Sequence, residues 1–313
     1  MISAPQTRDR SLAVKLAGVT KTFGSHTAVN DLSLAVPTGS VYGFIGPNGS
    51  GKTTTIRMIL HIFHPDRGEI EVLGERSTRA ANDRIGYLPE ERGLYKKMTV
   101  RRVLAYYGAL KGLTRAATRA AIGYWLAKMG LEKWADHKVE ALSKGMAQKI
   151  QFISAVIAQP QLLILDEPFT GLDPVNLDVL RAAILEERQR GTTVIFSTHD
   201  MAMAEQLCDF VFMIYKGRKV LDGTLAAIQS GYGADTVRLR VEGGGEAWRG
   251  LGGVELVRDF GHSQEVRCAG DPQDLLKALT ALTRVQLFEV AKPSLHDIFI
   301  RIAAPPPEEV QRA

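Results

Sequence analysis

The sequence VYGFIGPNGSGKTT, residues 41–54, carries the strongest structural signal in this chain. Its first five residues form a compact apolar run, as expected of a buried strand, and residues 53–63 have the pattern of a helix. Between them lies G-x-x-x-x-G-K-[ST], whose glycines let backbone N–H groups turn inward around phosphate oxygens. Lys52 would reach the outer phosphates, and the Thr53 hydroxyl would face Mg²⁺. A plain glycine turn is the alternative, but the flanking strand and helix favour a phosphate site.

An acidic pair, Asp166 and Glu167, directly follows the apolar run of residues 162–165. Such a pair after a strand is otherwise usually a helix start or a solvated turn. Because the same chain carries a phosphate loop, a nucleotide site is the better interpretation. We therefore predict that Asp166 holds Mg²⁺, often through water, and that Glu167 polarises an attacking water molecule.

The remainder of the larger domain has the pattern of an α/β fold. Residues 12–34 alternate as short strands, and residues 99–158 change to helical periodicity. Strands and helices alternate again over residues 162–197. This order predicts a mostly parallel sheet with an antiparallel β part, a helical insert, and sites at the carboxyl ends of the parallel strands.

A second, smaller domain is predicted after a glycine-containing linker at residues 228–235. The order βαββαβ over residues 237–290 suggests a small ferredoxin-like α+β sandwich. We predict a flexible N-terminus at 1–11, an ATPase domain at 12–230 with its insert at about 92–158, an accessory domain at 235–303, and a disordered tail at 304–313.

Composition limits the classes of function. The chain has 313 residues and a net charge of +5, and its basic residues are dispersed, so we expect no nucleic-acid partner. Cys208 and Cys268 lie far apart without metal-ligand spacing, which fits a reducing cytosol. We find no signal peptide and no apolar run of about 20 residues, so we expect neither secretion nor a membrane span.

A short motif between the loop and the acidic pair narrows the interpretation. Residues 142–146 read LSKGM and resemble LSGGQ, the signature of the ABC transporter ATPase family. Ser143 and Gly145 are retained, whereas Lys144 and Met146 differ from the signature. In that family the motif faces the γ-phosphate of ATP bound to the opposite subunit, so the resemblance implies a head-to-tail homodimer that encloses ATP and Mg²⁺.

Further motifs follow the order of the same family. The resemblance implies that Phe23 stacks on adenine, although a strand-core role is the alternative, and that His199 is a switch residue contacting the γ-phosphate. Residues 171–173 resemble the loop that crosses the dimer interface. The candidate ATP-binding residues are Phe23, Gly46, Pro47, Asn48, Gly49, Ser50, Gly51, Lys52, Thr53, Thr54, Ser143, Gly145 and Asp173.

The largest departure from the family is Glu90, which occupies the place of a glutamine that touches Mg²⁺ and the attacking water. A carboxylate can still bind the metal through oxygen. The candidate catalytic residues are therefore Glu167, His199 and Glu90, and the candidate metal ligands are Thr53, Asp166 and Glu90.

The resemblance extends from residue 12 to about residue 228. Together with LPEERGLY at 88–95 and PSLHDIF at 293–299, it looks like the ABC-2 type exporter branch, which includes sodium-extrusion and drug-efflux ATPases with an extra C-terminal domain. This implies an ATPase at the cytoplasmic face of the membrane that powers export through a separate permease. The alternatives are an ABC-type ATPase acting on nucleic acid or the ribosome, and a regulatory partner whose C-terminal domain senses a ligand or stabilises the dimer.

Overall fold

A computed structural model gives the structure of residues 11–76, 81–91, 93–232, 236–243 and 246–303. The chain divides into two compact units between Gly223 and Thr224, slightly before the domain end predicted at residue 230. The predicted disordered tail and the predicted flexible N-terminus, apart from Ser11, lie outside the described residues. None of the helices in these ranges combines the length and the apolar character needed to cross a lipid bilayer.

Two sheets form the frame of the first unit. Its strands are β1 (Leu12–Phe23), β2 (His26–Pro37), β3 (Val41–Ile45), β4 (Arg67–Val72), β5 (Ile85–Leu88), β6 (Leu162–Asp166), β7 (Thr193–Thr198), β8 (Phe210–Tyr215) and β9 (Arg218–Thr224). One sheet has the order β5-β6-β7-β3-β8-β9, and the pairs from β5 through β8 are parallel. The other has the order β2-β1-β4 and is antiparallel, which confirms the predicted α/β fold.

In the described part of the first unit, every α-helix except the first has an N-cap residue whose side chain accepts a backbone N–H bond. They are α1 (Lys52–Ile59), α2 (Val100–Leu110), α3 (Arg115–Lys128), α4 (Lys144–Val156), α5 (Pro174–Gln189) and α6 (Met201–Leu207). Helices α2, α3 and α4 lie between β5 and β6 in the chain and form the predicted helical insert. Side-chain oxygens of Thr99, Thr114, Ser143, Asp173 and Asp200 accept N–H bonds at their starts.

Helix α1 ends at Ile59, four residues before the predicted end at residue 63. His61 has a φ of +52°, the left-handed conformation that closes a helix. The N–H of Ile62 then donates to the carbonyl of Arg57, and that of His61 to Met58, which is the pattern of a Schellman cap. The apolar side chains that extended the sequence pattern therefore belong to the cap rather than to another helical turn.

The larger sheet is buried on both faces. In β6, Leu163 and Leu165 belong to a core formed with the insert helices and α5, whereas Leu162 and Ile164 belong to a core formed with the antiparallel sheet and α1. A strand covered on both sides needs apolar residues at every position. This explains the uninterrupted apolar run that precedes the acidic pair, and the two cores together fix the position of the end of β6.

The second unit is a four-stranded antiparallel sheet with helices. Its elements are α7 (Leu225–Gly231), β10 (Thr236–Val241), α8 (Glu246–Arg249), β11 (Val254–Asp259), β12 (Gln264–Cys268), α9 (Pro272–Leu282), β13 (Val285–Ala291) and α10 (Leu295–Ala303). The strand order is β11-β12-β10-β13. The elements from β10 to β13 have the predicted order βαββαβ.

The predicted linker at residues 228–235 is wrong for its first part, because α7 extends to Gly231. Thr224 caps this helix by accepting from the N–H of Ala227, and Ile228 is buried. Gly231 is the last helical residue, so the glycine that suggested a linker ends a helix instead.

Candidate functional site

The loop between β3 and α1 has a backbone that only glycine fits. Gly46 and Gly51 have φ values of +156° and +111°. A Cβ atom on Gly46 would lie 2.2 Å from the carbonyl oxygen of Ile214, and one on Gly51 would lie 2.6 Å from that of Ala28. Gly51 is also the N-cap of α1 and has no side chain to satisfy the first N–H groups of the helix. The loop therefore presents backbone donors suited to an anion.

The Lys52 side chain folds back over this loop. Its Nζ donates to the carbonyls of Gly46 at 2.7 Å and Pro47 at 3.2 Å. The same nitrogen lies 3.8 Å from Oε1 of Glu167, and both side chains are buried. Burial lowers the pKa of Lys52, while the charges of Glu167, Asp166 and Glu90 act in the opposite direction. A buried ammonium thus faces carboxylates from separate segments.

Asp166 is fully buried at the end of β6. Its Oδ1 accepts from Ser197 Oγ at 2.5 Å and from Thr53 Oγ1 at 3.4 Å, whereas its Oδ2 has no partner within the part of the chain that the structure describes. Burial raises the pKa of Asp166, and the bonds from Ser197 and Thr53 lower it. An unpaired carboxylate oxygen beside a hydroxyl is a donor set that fits a hard cation such as Mg²⁺.

The described ranges contain no cluster of three or more His, Cys, Asp or Glu residues arranged to bind a metal. Protein sites for Mg²⁺ commonly use only one or two carboxylates and complete the shell with water and substrate phosphates. The Thr53 hydroxyl and the unpaired Asp166 oxygen are consistent with that kind of site.

Glu167 is held in an unusual backbone conformation. Its φ is +50°, which costs a non-glycine residue about 1–3 kcal/mol. The Glu167 N–H donates to Ser197 at both Oγ (3.0 Å) and the carbonyl oxygen (3.2 Å). Oε1 lies 3.0 Å from Nδ1 of His199, and Oε2 accepts from Thr170 Oγ1 at 3.4 Å. The carboxylate is therefore oriented from both of its oxygens.

A cavity of about 500 Å³ opens in front of these groups. Phe23 lies at its rim, is 42% exposed, and contacts Phe63 edge-to-face at 5.3 Å between ring centroids. The strand-core alternative for Phe23 is therefore wrong. The lining residues are Phe23, His26, Ala28, Asn48, Gly49, Gly51, Lys52, Thr53, Thr54, Glu90 and Glu167.

The predicted site residues fall into two groups. The residues of the first group surround the cavity, and Glu90 is one of them. Asp166 is hydrogen-bonded to the lining residue Thr53, and His199 to the lining residue Glu167. Gly46, Pro47 and Ser50 also belong to this group, because they lie in the loop between β3 and α1. The second group consists of Ser143, Gly145 and Asp173, which are not among the cavity's lining residues in the described structure.

The second group is a cluster of helix starts. Ser143 Oγ accepts from the N–H of Met146 and caps α4, and Asp173 accepts from the N–H of Asn176 and caps α5. Asn176 also donates through Nδ2 to Asp173, and a Cβ on Gly145 would lie 3.3 Å from that same nitrogen. The start of α4 therefore lies against the start of α5, and a side chain at residue 145 would crowd the Asn176 amide.

Sequence reasoning missed several residues of the site. Ser197 bridges Asp166 and Glu167, but its place depends on the β6–β7 register, which pairs Asp166 with Ser197. His26 lines the cavity from the first position of β2, opposite Phe23, and Thr170 binds Glu167. Of these residues, Thr170 could have been proposed from the sequence, because it lies only three residues after Glu167 in the same loop.

Comparisons with known proteins agree with this geometry. The ABC transporter family matches residues 29–170, and the C-terminal domain of DrrA1-3-like ATP-binding proteins matches residues 223–303. The uncharacterized ABC transporter ATP-binding protein YhaQ of Bacillus subtilis is 40% identical over 90% of this chain and 95% of its own length. Nod factor export ATP-binding protein I of Rhizobium sp. (strain N33) is 35% identical over 93% of this chain and 97% of its own length.

A solved structure of the ATP-binding subunit of an ABC transporter is similar with a TM-score of 0.67 and 30% identity, over 71% of this chain and 94% of that chain. The resemblance noted from LSKGM and the flanking motifs is thereby confirmed, together with the extra C-terminal domain of the exporter branch. This chain belongs to the ABC transporter family as an ATP-binding subunit, the component that hydrolyses ATP to power transport through a membrane permease.

Proposed function

We propose that this chain is the motor of an exporter: it closes as a head-to-tail homodimer around Mg-ATP and drives a separate permease from the cytoplasmic face of the membrane. The observation that carries the proposal is the division of the candidate residues into a cavity group and a separate group at the starts of α4 and α5. The DrrA-like C-terminal domain and the relative named as an export protein support export as the direction.

In this proposal the first group binds ATP. The loop amides and the start of α1 take the phosphates, because backbone N–H groups in a glycine-rich loop and at a helix N-terminus attract anions. The Lys52 ammonium, which lies between loop carbonyls and Glu167, would face the outer phosphates. Phe23 would stack on the base, since its ring is exposed at the cavity rim.

The carboxylates would divide the chemistry. Glu167 would polarise the attacking water, with His199 and Thr170 fixing the directions of its oxygens. Asp166, Thr53 and Glu90 would hold Mg²⁺, and their oxygens fit that ion. The ion, when bound, neutralises charge on the outer phosphates and so assists phosphoryl transfer.

The second group would complete the site of the partner subunit. Ser143 and Gly145 lie at the N-terminal end of the 13-residue helix α4, where the helix dipole and free N–H groups favour an anion. Each nucleotide would therefore lie between the loop of one copy and the α4 start of the other. ATP binding would close the dimer, and hydrolysis would open it.

The test is Glu167→Gln. Loss of the base should lower the hydrolysis rate about 10²- to 10⁴-fold while ATP binding is retained, because the side chain keeps its size. Light scattering should then show a dimer that depends on ATP. Glu69→Gln, the same change on a side chain that is 70% exposed, serves as the control. An unimpaired rate would remove Glu167 from its role, and a monomer with ATP, both alone and with the permease, would refute the dimer.

A further inference from the structure

Two glutamines on α4 reach the segments that carry the candidate carboxylates. Gln148 Nε2 donates to the carbonyl of Pro168 at 3.0 Å. Gln151 Nε2 donates to the carbonyls of Pro89 at 3.1 Å and Glu91 at 3.2 Å. Both side chains are buried, and residues three apart lie on the same face of a helix. One face of α4 thus binds two loops at the ATP cavity.

The partners of these amides are neighbours of the site residues. Pro168 directly follows Glu167, and the two carbonyls bound by Gln151 flank Glu90. Because a carbonyl oxygen only accepts hydrogen bonds, the amide nitrogen and not the amide oxygen must face it. The direction of the Gln151 side chain therefore follows from its partners.

The Gln151 side chain also contains a buried polar atom that lowers the stability of the fold and that packing alone does not require. Its Oε1 is buried and has no hydrogen-bond partner among the described residues. A buried acceptor without a partner destabilises a fold, and a methionine of similar size would fill the same space without that atom. The polar side chain is explained if its two donated bonds serve the Glu90 loop rather than the core.

We propose that Gln151 is a positioning residue, which fixes Glu90 relative to α4 so that the Glu90 loop moves with the helix whose start carries Ser143. This inference rests on the proposed function, in which Glu90 lies at the ATP site and Ser143 contacts the nucleotide of the partner. A displacement of α4 on dimer closure is then carried to Glu90 through the bonds to Pro89 and Glu91. Gln148 makes the corresponding link to the loop after Glu167.

The experiment replaces Gln151 by Met and uses Lys149→Met as the matched control. Lys149 lies on the same helix, is buried, and donates through Nζ to the Met129 carbonyl at 3.1 Å, away from the cavity. Both variants remove a buried hydrogen-bond donor from the same helix, so a change in kcat confined to Gln151→Met is not a general effect of losing such a donor. Only Gln151→Met should lower kcat, by about five- to tenfold, with the KM for ATP changed less than about twofold.

Hydrogen exchange provides a readout besides activity. Gln151→Met should speed amide exchange at Glu90 and Glu91, whereas Lys149→Met should not. In a Glu90→Ala background, the effect of Gln151→Met on any residual kcat should disappear, since the loop then carries no carboxylate.

Equal kcat in the Gln151 and Lys149 variants, or unchanged exchange at Glu90 and Glu91, would overturn the positioning role. Neither result would affect the proposed motor, because that is tested by Glu167→Gln and by ATP-dependent dimerisation. Conversely, a Glu167→Gln protein with a normal rate would refute the proposed chemistry while leaving the exchange result interpretable.

Discussion

Ser197→Ala removes a hydroxyl that bridges the Asp166 carboxylate and the backbone N–H of Glu167. Ser197 Oγ donates to Asp166 at 2.5 Å and accepts from the Glu167 N–H at 3.0 Å, and the side chain is fully buried. The substitution keeps the backbone bond from Glu167 to the Ser197 carbonyl at 3.2 Å. It therefore isolates the contribution of one oxygen atom.

The expected magnitude follows from the two bonds. A hydrogen bond to a charged group contributes about 1.5–3 kcal/mol, and a neutral one about 0.5–1.5 kcal/mol. Because the Glu167 N–H keeps a partner, the second loss lies at the low end, and we expect a destabilisation of about 2–3 kcal/mol. For a unit of this size, that corresponds to a fall in Tm of about 5–10 °C.

Thermal unfolding of the nucleotide-free protein, followed over the transition of the larger unit, measures this change. The control is Ser154→Ala, because Ser154 Oγ donates to the Gln151 carbonyl within its own helix, at 2.7 Å. ATP hydrolysis should also slow, since Asp166 and Glu167 lose a shared anchor. Equal Tm values for the two alanine variants would refute the reasoning that the Ser197 hydroxyl stabilises the fold through Asp166 and the Glu167 N–H.

Two further predictions concern charges in the cavity. Lys52→Ala should weaken ATP binding at least about tenfold, as measured by nucleotide titration. The control is Lys219→Ala, because Lys219 is exposed and its loss should leave the affinity for ATP unchanged. Wild-type affinity of the Lys52→Ala protein would contradict the phosphate-loop account. Burial raises the pKa of Asp166, so ionising it costs more in the folded than in the unfolded chain, and its contribution to stability falls as pH rises above about 3.9. Asp166→Asn should therefore raise the Tm of the nucleotide-free protein at pH 7 to 8, and an unchanged or lower Tm would refute this.

In the second unit, sequence patterns predicted some elements and missed others. The order βαββαβ was predictable because each element has its own periodicity over a contiguous segment. Helix α7 was missed, since Gly231 and Gly233 resemble a linker unless the cap at Thr224 and the buried Ile228 are recognised. Helix α10 was not predicted from its pattern either; residues 293–299 were used only as a family motif.

The candidate site divides in a similar way. The loop glycines, Lys52 and the acidic pair were predictable because each motif is contiguous and its chemistry needs those residue types. The contact of His199 with Glu167 was not predicted, since the family resemblance implied a contact with the γ-phosphate for this histidine. The sequence left two positions open for Phe23, in the strand core or exposed to stack on adenine. An aromatic residue at a strand end fits both, and only its exposure in the structure distinguishes them.

Local sequence was thus sufficient for the phosphate loop, the order of the elements from β10 to β13 and the family, because each depends on neighbouring residues and on the conformations they allow. The packing of distant segments was needed for the rest. Ser197 reaches Asp166 across the β6–β7 register, and Gln151 reaches the Glu90 loop through the docking of α4 on β5. Such contacts depend on which strands become neighbours and how helices pack on them, and that arrangement is a property of the whole folded unit rather than of any segment.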